Sequence, residues 1–408
     1  MADGHKTSPL WLLLLPRPPS EISLNALRVA YGPGLHQVLR IASNASAGSS
    51  NVVLDVAIAY EDDLIFRYSK VQRLLGLMYR LICVICMENA IDLQYDNDVD
   101  ARLIIFHRGV TDQHQKFGDL QTLARSDRAW QRLCSLESES AENLLQDFLH
   151  MRIGSSDETM RSNHQIEIER FPGGLTIRQN YSQNAFQESP SHSHRSVAVG
   201  GTFDHLHAGH KLLLTMTALV LDLRSIQGAC LTIGITGDEL LKNKKFREEL
   251  EDFPERQLAV QEFLLGVLGL ASPSHVLDNT RHVESTSNHG REVHNTLKSG
   301  LTIKYVELFD PCGPTITDET ITALVLSAET KDGGLVVNDK RGEKGWFALE
   351  VFEVDVLDAR ESEDDDRDRA RDKFQGKISS TDIRRRIHEK FASTFDTSGG
   401  NSKQLHSN

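Results

Sequence analysis

The sequence has little of what marks several large classes of protein. Its 408 residues include only five cysteines and 6% aromatic residues, and its formal net charge is −13. An odd number of cysteines predicts no disulfide framework, so a cytoplasmic location is expected, with the nucleus as the alternative. A general nucleic-acid binder needs a basic surface to neutralise phosphates. The acidic balance therefore argues against nucleic acid as a partner.

Long apolar runs and several ligand motifs are also missing. No run approaches the roughly 20 apolar residues of a membrane-spanning helix, so no membrane partner is expected. The short run Leu10–Leu15 ends at Pro16 and predicts a buried strand rather than a signal peptide. The kinase loop Gly-x-x-x-x-Gly-Lys-Ser/Thr and the zinc motif His-Glu-x-x-His do not occur. Cys83 and Cys86 lie in an apolar run, which favours burial over metal or redox chemistry.

The most informative segment is a glycine turn between a strand and a helix. Residues 197–199 indicate the end of a buried strand, Gly200 and Gly201 a tight turn, and residues 210–223 an apolar helix. His207 and His210 are three apart and share one face at the helix start. Unpaired backbone N–H groups and the helix dipole favour an anion there, so the segment predicts a phosphate site.

Two other interpretations of the histidines remain open. They could simply cap the helix, or His205 could join them in a metal cluster. Metal sites usually add a carboxylate or a cysteine with supporting contacts, and the sequence offers no such motif here. No metal ligands are therefore predicted.

The glycine turn and four later segments resemble one family. Residues 200–210, Gly-Gly-Thr-Phe-Asp-His-Leu-His-Ala-Gly-His, resemble the His-x-Gly-His nucleotidyltransferases, and in particular the eukaryotic, fungal-type phosphopantetheine adenylyltransferases. The other segments follow in family order: Thr-Gly-Asp-Glu-Leu-Leu-Lys-Asn-Lys-Lys at 236–245, Asp-Pro-Cys-Gly-Pro at 310–314, Ser-Ala-Glu-Thr at 327–330 with Asn338 and Arg341 after it, and Lys-Ile-Ser-Ser-Thr-Asp-Ile-Arg at 377–384. The resemblance spans about residues 196–390 and implies nothing about residues 1–190.

Nucleotidyl transfer to a phosphate needs charge neutralisation and alignment more than it needs a base. A phosphate monoester is already largely ionised at neutral pH, with a second pKa of about 6. Cationic donors, together with Mg²⁺ that accompanies ATP, would stabilise the charge that develops on the phosphate oxygens. The predicted catalytic residues are His207, His210, Lys242, Lys245 and Arg384, although the sequence does not decide among Lys242, Lys244 and Lys245. The predicted ATP and phosphate contacts are Gly200, Gly201, Thr202, Phe203, Asn338, Arg341, Lys377, Ser379, Ser380 and Thr381.

Several residues in these segments have a second interpretation. Asp310, Glu329 and Asn338 could be loop-fixing hydrogen-bond partners instead of ligand contacts, and Asp204 is expected to be structural.

The resemblance implies transfer of AMP from ATP to 4′-phosphopantetheine, giving dephospho-coenzyme A and pyrophosphate. The product, dephospho-coenzyme A, is the substrate of a kinase. Because the kinase loop is missing from this sequence, that kinase is expected on a separate polypeptide, which could join this protein in a complex. Two alternatives are a cytidylyltransferase acting on a phospho-alcohol and a catalytically inactive scaffold.

The chain is expected to divide into several parts. Residues 1–150 predict a smaller α/β domain of unknown role, and residues 151–195 a linker with some strand character at 165–169. The βαβ rhythm of residues 196–392 predicts a catalytic domain with a doubly wound parallel sheet and ligands at the carboxyl ends of its strands. Within it, the mixed-charge insertion 359–376 is expected to be mobile, either as a solvated loop or as a lid over the triphosphate. The tail 393–408 is expected to be disordered.

Overall fold

The computed structural model describes most of the chain in twelve ranges. These are residues 8–46, 51–60, 68–91, 99–109, 118–153, 166–174, 194–222, 227–271, 277–284, 290–355, 357 and 379–399. The predicted insertion 359–376, Lys377 and the last part of the predicted tail, residues 400–408, lie outside the described residues.

The N-terminal part contains a five-stranded parallel sheet with the order β3-β2-β1-β4-β5. The predicted strand Leu10–Leu15 is its central strand, and its last five residues are buried, as expected for a strand covered on both faces. The strands are β1 Leu10–Leu15, β2 Val52–Tyr60, β3 Val99–His107, β4 Arg132–Glu137 and β5 Glu167–Pro172. The helices are α1 Leu24–Ser46, α2 Tyr68–Glu88, α3 Leu120–Ala124 and α4 Glu139–Ile153.

The second part contains a seven-stranded sheet with the order β12-β11-β6-β7-β10-β9-β8. Five strands are parallel, and β8 and β9 form an antiparallel extension at one edge. The strands are β6 Ser196–Gly201, β7 Cys230–Thr236, β8 Leu277–Glu284, β9 Arg291–Leu297, β10 Thr302–Leu308, β11 Ala323–Ser327 and β12 Glu350–Val354. The helices are α5 Ala208–Val220, α6 Phe253–Ala271, α7 Asp332–Glu343 and α8 Ser380–Gly399. The predicted α/β fold with a smaller N-terminal α/β domain is confirmed, and the antiparallel edge is an addition to it.

The two sheets share one connection pattern. In each, the five parallel strands stand in the order third, second, first, fourth, fifth along the chain. The order reverses beside the first strand, between β1 and β4 in one sheet and between β6 and β11 in the other. Ligands of open α/β sheets bind at such reversal points, outside the carboxyl ends of the strands. The glycine turn follows β6 and therefore lies at the reversal point of the second sheet.

Two predicted boundaries differ from the structure. Strand β5 falls inside the predicted linker 151–195, but it pairs with β4 and completes the N-terminal sheet. Its sequence, Glu-Ile-Glu-Arg-Phe-Pro, is largely polar because it is an edge strand, and Arg132 holds it through Glu167 at 2.7 Å. Helix α8 continues to Gly399, into the range predicted to be a disordered tail.

The two parts share one buried core. Helix α2 packs against α5, and α6 packs against β3, the edge strand of the N-terminal sheet. Cys83 and Cys86 are buried in α2, as predicted. Within the described ranges, no helix is both long and apolar enough to span a bilayer.

Candidate active site

The glycine turn, residues 200–206, joins β6 to α5 through an unusual backbone. Phe203 and His205 have left-handed φ angles of 54° and 45°, which non-glycine residues adopt rarely and at a cost. A Cβ atom at Gly201 would lie 2.9 Å from the Phe203 ring, so the buried ring requires glycine there. Such local strain at the carboxyl edge of a sheet is typical of a functional turn.

His207 and His210 lie next to each other at the start of α5. His207 is the N-cap residue, and its Nδ1 accepts a hydrogen bond from the Gly209 N–H at 3.2 Å. A neutral His207 ring therefore carries its proton on Nε2. The two imidazoles stack with centroids 3.8 Å apart and planes 20° apart, and Phe203 contacts His210 edge-on. The buried Nδ1 of His210 has no hydrogen-bond partner among the described residues, which suits an atom that a ligand completes.

Both imidazoles are held in their neutral form. Burial lowers the pKa of His210 to about 3, and His205 contributes further. Burial also lowers the pKa of His207 well below its ordinary value, with His210, Lys211 and His205 adding to the effect. At neutral pH the pair can therefore offer N–H donors to an anion without carrying charge of its own.

Helix α8 begins against the glycine turn, through contacts with Asp204. Ser380 Oγ donates to the Asp204 carbonyl at 2.9 Å, and Arg384 forms an ion pair with the Asp204 carboxylate. Ser379 accepts from the Asp382 N–H at 3.2 Å and so caps the first turn of α8. Two helix starts, those of α5 and α8, thus meet at one turn of the chain.

Arg384 lies between the glycine turn and the lysine segment, residues 242–245. It is 2% exposed, and besides Asp204 its guanidinium donates to the Lys245 carbonyl at 3.0 Å and to Thr381 Oγ1 at 3.3 Å. In this conformation it fastens three segments together. Its predicted addition of positive charge at the reacting phosphates stays a prediction.

Arg341 occupies a structural position that the sequence did not indicate. It is 1% exposed, and its guanidinium donates five hydrogen bonds to backbone carbonyls. The acceptors are Thr315, Asp318, Glu319, Ile321 and Phe347, at 2.6 to 3.3 Å. Since a guanidinium has five N–H groups, none is left for a phosphate. The expected phosphate contact of Arg341 is therefore corrected to a loop-fixing role.

Asn338 and Asp310 also bind backbone in the structure. The Asn338 amide exchanges two hydrogen bonds with Leu349, at 2.8 and 3.1 Å. Asp310 accepts from the N–H groups of Cys312 and Gly313 at 2.8 and 2.9 Å. Of the two interpretations given for these residues, the loop-fixing one fits their geometry.

The lysine segment is on the surface. Lys242, Lys244 and Lys245 are all exposed, and Lys242 pairs with Glu239 one turn earlier in the 3₁₀ helix Asp238–Leu241. The structure therefore does not choose among the three lysines. Gly200, Thr202 and Phe203 lie in the glycine turn, and their ligand contacts stay predictions.

Arg256 is a supporting residue that sequence reasoning missed. It is fully buried and donates to the carbonyls of Thr202 and Thr236, both at 2.8 Å. It also pairs with Asp238 at 2.6 Å. Arg256 thus joins the glycine turn to the end of β7. Arg256 lies in the first turn of α6, at the same edge of the sheet as the glycine turn, and this position could have indicated a supporting role. It was overlooked because an arginine on a helix usually faces solvent.

Among the described residues, no group of three or more histidine, cysteine, aspartate or glutamate side chains could hold a metal ion. The interpretation of His205 as a zinc ligand gains no support from its contacts. Its backbone N–H donates to Glu251 at 2.7 Å, and its Nε2 lies 2.8 Å from the Glu249 carbonyl.

The fold and the helix start with its histidine pair define a nucleotidyltransferase domain of the cytidylyltransferase-like class. Residues 198–386 match the family model described as Cytidylyltransferase-like. Residues 1–177 match the model of a domain of unknown function, DUF8446.

Curated relatives identify the family within this class. The chain is 36% identical over 189 residues to a phosphopantetheine adenylyltransferase of Saccharomyces cerevisiae, covering 46% of this chain and 47% of that protein. It is 30% identical over 191 residues to a phosphopantetheine adenylyltransferase of Pyrobaculum aerophilum, covering 47% of this chain and 90% of that protein. The chain belongs to the phosphopantetheine adenylyltransferase family. The match covers about half the length of the yeast relative.

The corrected role of Arg341 predicts a change in stability without a change in nucleotide affinity. Arg341→Met would remove five hydrogen bonds, those to the buried residues Thr315 and Ile321 among them, so the free energy of unfolding should fall by about 3 kcal/mol or more. Urea unfolding measures this loss, and the KM for ATP of the folded fraction should stay at the wild-type value. The exposed neighbour Lys340→Met is the control. A raised KM for ATP with unchanged stability would restore Arg341 as a phosphate ligand.

The low pKa values of the two histidines predict acid sensitivity. In the unfolded chain each histidine binds a proton below about pH 6.5, whereas the folded rings stay neutral. The free energy of unfolding should therefore fall as the pH drops below 6.5, by up to about 1.4 kcal/mol per pH unit for each ring.

The double variant His207→Asn/His210→Gln should flatten this dependence between pH 6.5 and 5.5, because asparagine keeps the helix cap and neither new side chain titrates. Urea unfolding at both pH values tests it. Equal slopes in the wild type and the double variant would show that the rings are not held neutral.

Proposed function

We propose that the protein is a pantetheine-phosphate adenylyltransferase, which transfers AMP from ATP to 4′-phosphopantetheine and releases pyrophosphate. The observation that carries the proposal is the stacked pair His207 and His210 at the start of α5, with the start of α8 docked on the same turn. Family membership supports nucleotidyl transfer. The acceptor and the nucleotide are part of the proposal.

The reaction forms one P–O bond and breaks another. A phosphate oxygen of phosphopantetheine attacks the α-phosphorus of ATP, and the bond from that phosphorus to the bridging oxygen of the β-phosphate breaks. The electron pair leaves with pyrophosphate, and no proton has to be removed from the attacking oxygen because the phosphate is already ionised. ATP is expected to arrive with Mg²⁺, which neutralises part of the triphosphate charge.

The neutral imidazoles suit this chemistry as fixed donors. The Nε2–H of His207 and an N–H of His210 would donate to the α- and β-phosphates as charge builds on the leaving pyrophosphate. Because the rings are stacked and the Gly209 N–H holds Nδ1 of His207, little reorganisation is needed at the moment of transfer. Thr202 would hold the attacking phosphate from the glycine turn, and Ser379, Ser380 and Thr381 would contact the β- and γ-phosphates at the start of α8.

The positive charge for the triphosphate would come from the exposed lysine segment. The two arginines of the family motifs, Arg341 and Arg384, are occupied by protein partners. We therefore propose that Lys242 or Lys245 swings from the surface towards the phosphates. We further propose that the enzyme is cytoplasmic and that its product, dephospho-coenzyme A, passes to a kinase.

A pyrophosphate-release assay tests the proposed activity. The wild type should release pyrophosphate with ATP and 4′-phosphopantetheine, and much less with CTP or with choline phosphate and glycerol phosphate as acceptors. Faster release with CTP and a phospho-alcohol would support the cytidylyltransferase alternative. No release with any pair would support an inactive scaffold.

His210→Ala tests the role of the imidazole pair. Turnover should fall about 10²–10³-fold, by analogy with the loss of one oxyanion-hole donor. His150→Ala, at an exposed position at the end of α4, should leave turnover unchanged. Wild-type turnover in the His210→Ala variant would remove His210 from the catalytic residues.

A further inference from the structure

Lys211, the residue after the second histidine, points away from the site and into the N-terminal domain. Its side chain is buried, with the residue 5% exposed. The ammonium contacts Asp100 Oδ1 at 2.5 Å and donates to the Ala101 carbonyl at 3.1 Å. Both partners lie on β3, so the helix that carries the imidazoles is bonded directly to the edge of the other sheet.

Asp100 is also bound from its own side. Arg102 donates to its Oδ2 through Nε at 2.8 Å and through Nη2 at 2.6 Å. Burial opposes ionisation of Asp100, but Arg102 and Lys211 outweigh it and hold the pKa of this carboxyl well below its usual range. Arg102 also reaches the Glu262 carbonyl on α6 at 3.4 Å. Both helices that flank the glycine turn are thus fastened to β3.

The surrounding contacts fit closely along this interface. A Cβ atom at Gly266 of α6 would lie 2.9 Å from Nη1 of Arg102 and 3.2 Å from Nη1 of Arg128. A Cβ at Gly76 of α2 would come within 3.7 Å of Leu212, the residue after Lys211. Elsewhere along the interface, Gln72 of α2 donates to Asp355, the residue after β12, at 2.7 Å.

A buried, positively charged lysine is electrostatically unfavourable in the first turn of α5. The helix dipole already places partial positive charge there, and Lys211 contributes to lowering the pKa of His207. Burying its charge is tolerated only with a close counter-ion, which Asp100 provides. The position of α5 therefore depends on a carboxylate from the other domain.

The N-terminal sheet lacks the means to bind a phosphate in the same way. Where the glycine turn follows β6, the buried residues Pro16 and Pro18 follow β1. Proline has no N–H group to donate, and the Pro16 carbonyl is occupied by the Tyr31 hydroxyl at 2.7 Å. The contacts of this domain with α5 and α6 point to a different use.

We propose that the N-terminal domain positions the imidazole pair of the catalytic domain, with Asp100 and Lys211 as the positioning residues that set the place of α5. The kinetic part of this inference rests on the proposed function. It assigns a role to residues 1–177, which match a domain of unknown function.

The first experiment measures kcat and KM for ATP in the full-length variants Lys211→Met and Asp100→Asn. A displacement of about 1 Å at the reacting groups can cost up to about 100-fold in rate, so kcat should fall about 10- to 100-fold while KM stays at the wild-type value. The double variant should lose no more than the worse single variant, since both changes break one contact. Glu142→Gln, which breaks the Arg170 pair within the N-terminal domain, is the control and should leave kcat unchanged.

The second experiment does not depend on the reaction. Amide hydrogen exchange should become at least about 10-fold faster in residues 208–212 of Lys211→Met and stay unchanged in β10. Gly266→Ala should produce the same pattern more weakly by displacing Arg102, whereas Gly269→Ala, which has nothing within 4 Å of its added Cβ, should not. If Lys211→Met does not fold, the comparison of Gly266→Ala with its control Gly269→Ala still tests whether the contacts with β3 set the position of α5.

The outcomes separate the two proposals. A wild type that releases no pyrophosphate overturns the proposed function and leaves the exchange experiment to decide the positioning role. Unchanged exchange in residues 208–212 overturns the positioning role. So does a variant that is less stable but keeps wild-type kcat, because the contact would then serve folding alone.

Discussion

The site depends on one buried carboxylate, that of Asp204. It is fully buried, one oxygen accepts from the Glu251 N–H at 3.1 Å, and the other is paired with Arg384. The carbonyl of the same residue receives Ser380. Three segments that are far apart in sequence therefore meet at the residue three positions before His207. A buried carboxylate with each oxygen satisfied fixes geometry more firmly than apolar contacts can, because every misplacement leaves a charge unpaired.

Much of the framework could be predicted because it follows from local patterns. Apolar runs identified β1 and β6, and the glycine pair with two histidines identified the turn and the start of α5. The roles of the arginines could not be predicted in the same way. A motif arginine suggests a phosphate ligand, whereas the carbonyls that hold Arg341 come from residues 315–321 and from Phe347, and only the fold brings them together. Strand β5 was predicted only as some strand character at 165–169 within a linker, because its polar sequence forms a paired strand only where β4 offers an edge.

The two halves show how one connection pattern can serve different ends. Both sheets reverse their strand order beside the first strand, which creates a crevice at the carboxyl edge. In the second half, Gly201 leaves room for the Phe203 ring, and the start of α5 carries the imidazole pair at that edge. In the first half, Pro16 and Pro18 follow the equivalent strand, β1. The contacts of this half with Lys211 come instead from its edge strand, β3. Fold alone would have suggested two equivalent sites, and the residues at the turn distinguish them.

The edge of β3 is covered by residues of the second half. Lys211 caps the Ala101 carbonyl, and the Tyr79 hydroxyl lies 3.3 Å from the Leu103 N–H. These contacts occupy backbone groups that an open edge would offer to any passing strand. In a first half cut from the second, Tyr79 would still cover Leu103, but Ala101 would lose Lys211 and β3 would lose its contact with α6. An uncovered strand edge offers its backbone groups to other strands, so the lysine that holds α5 in place also covers part of this edge.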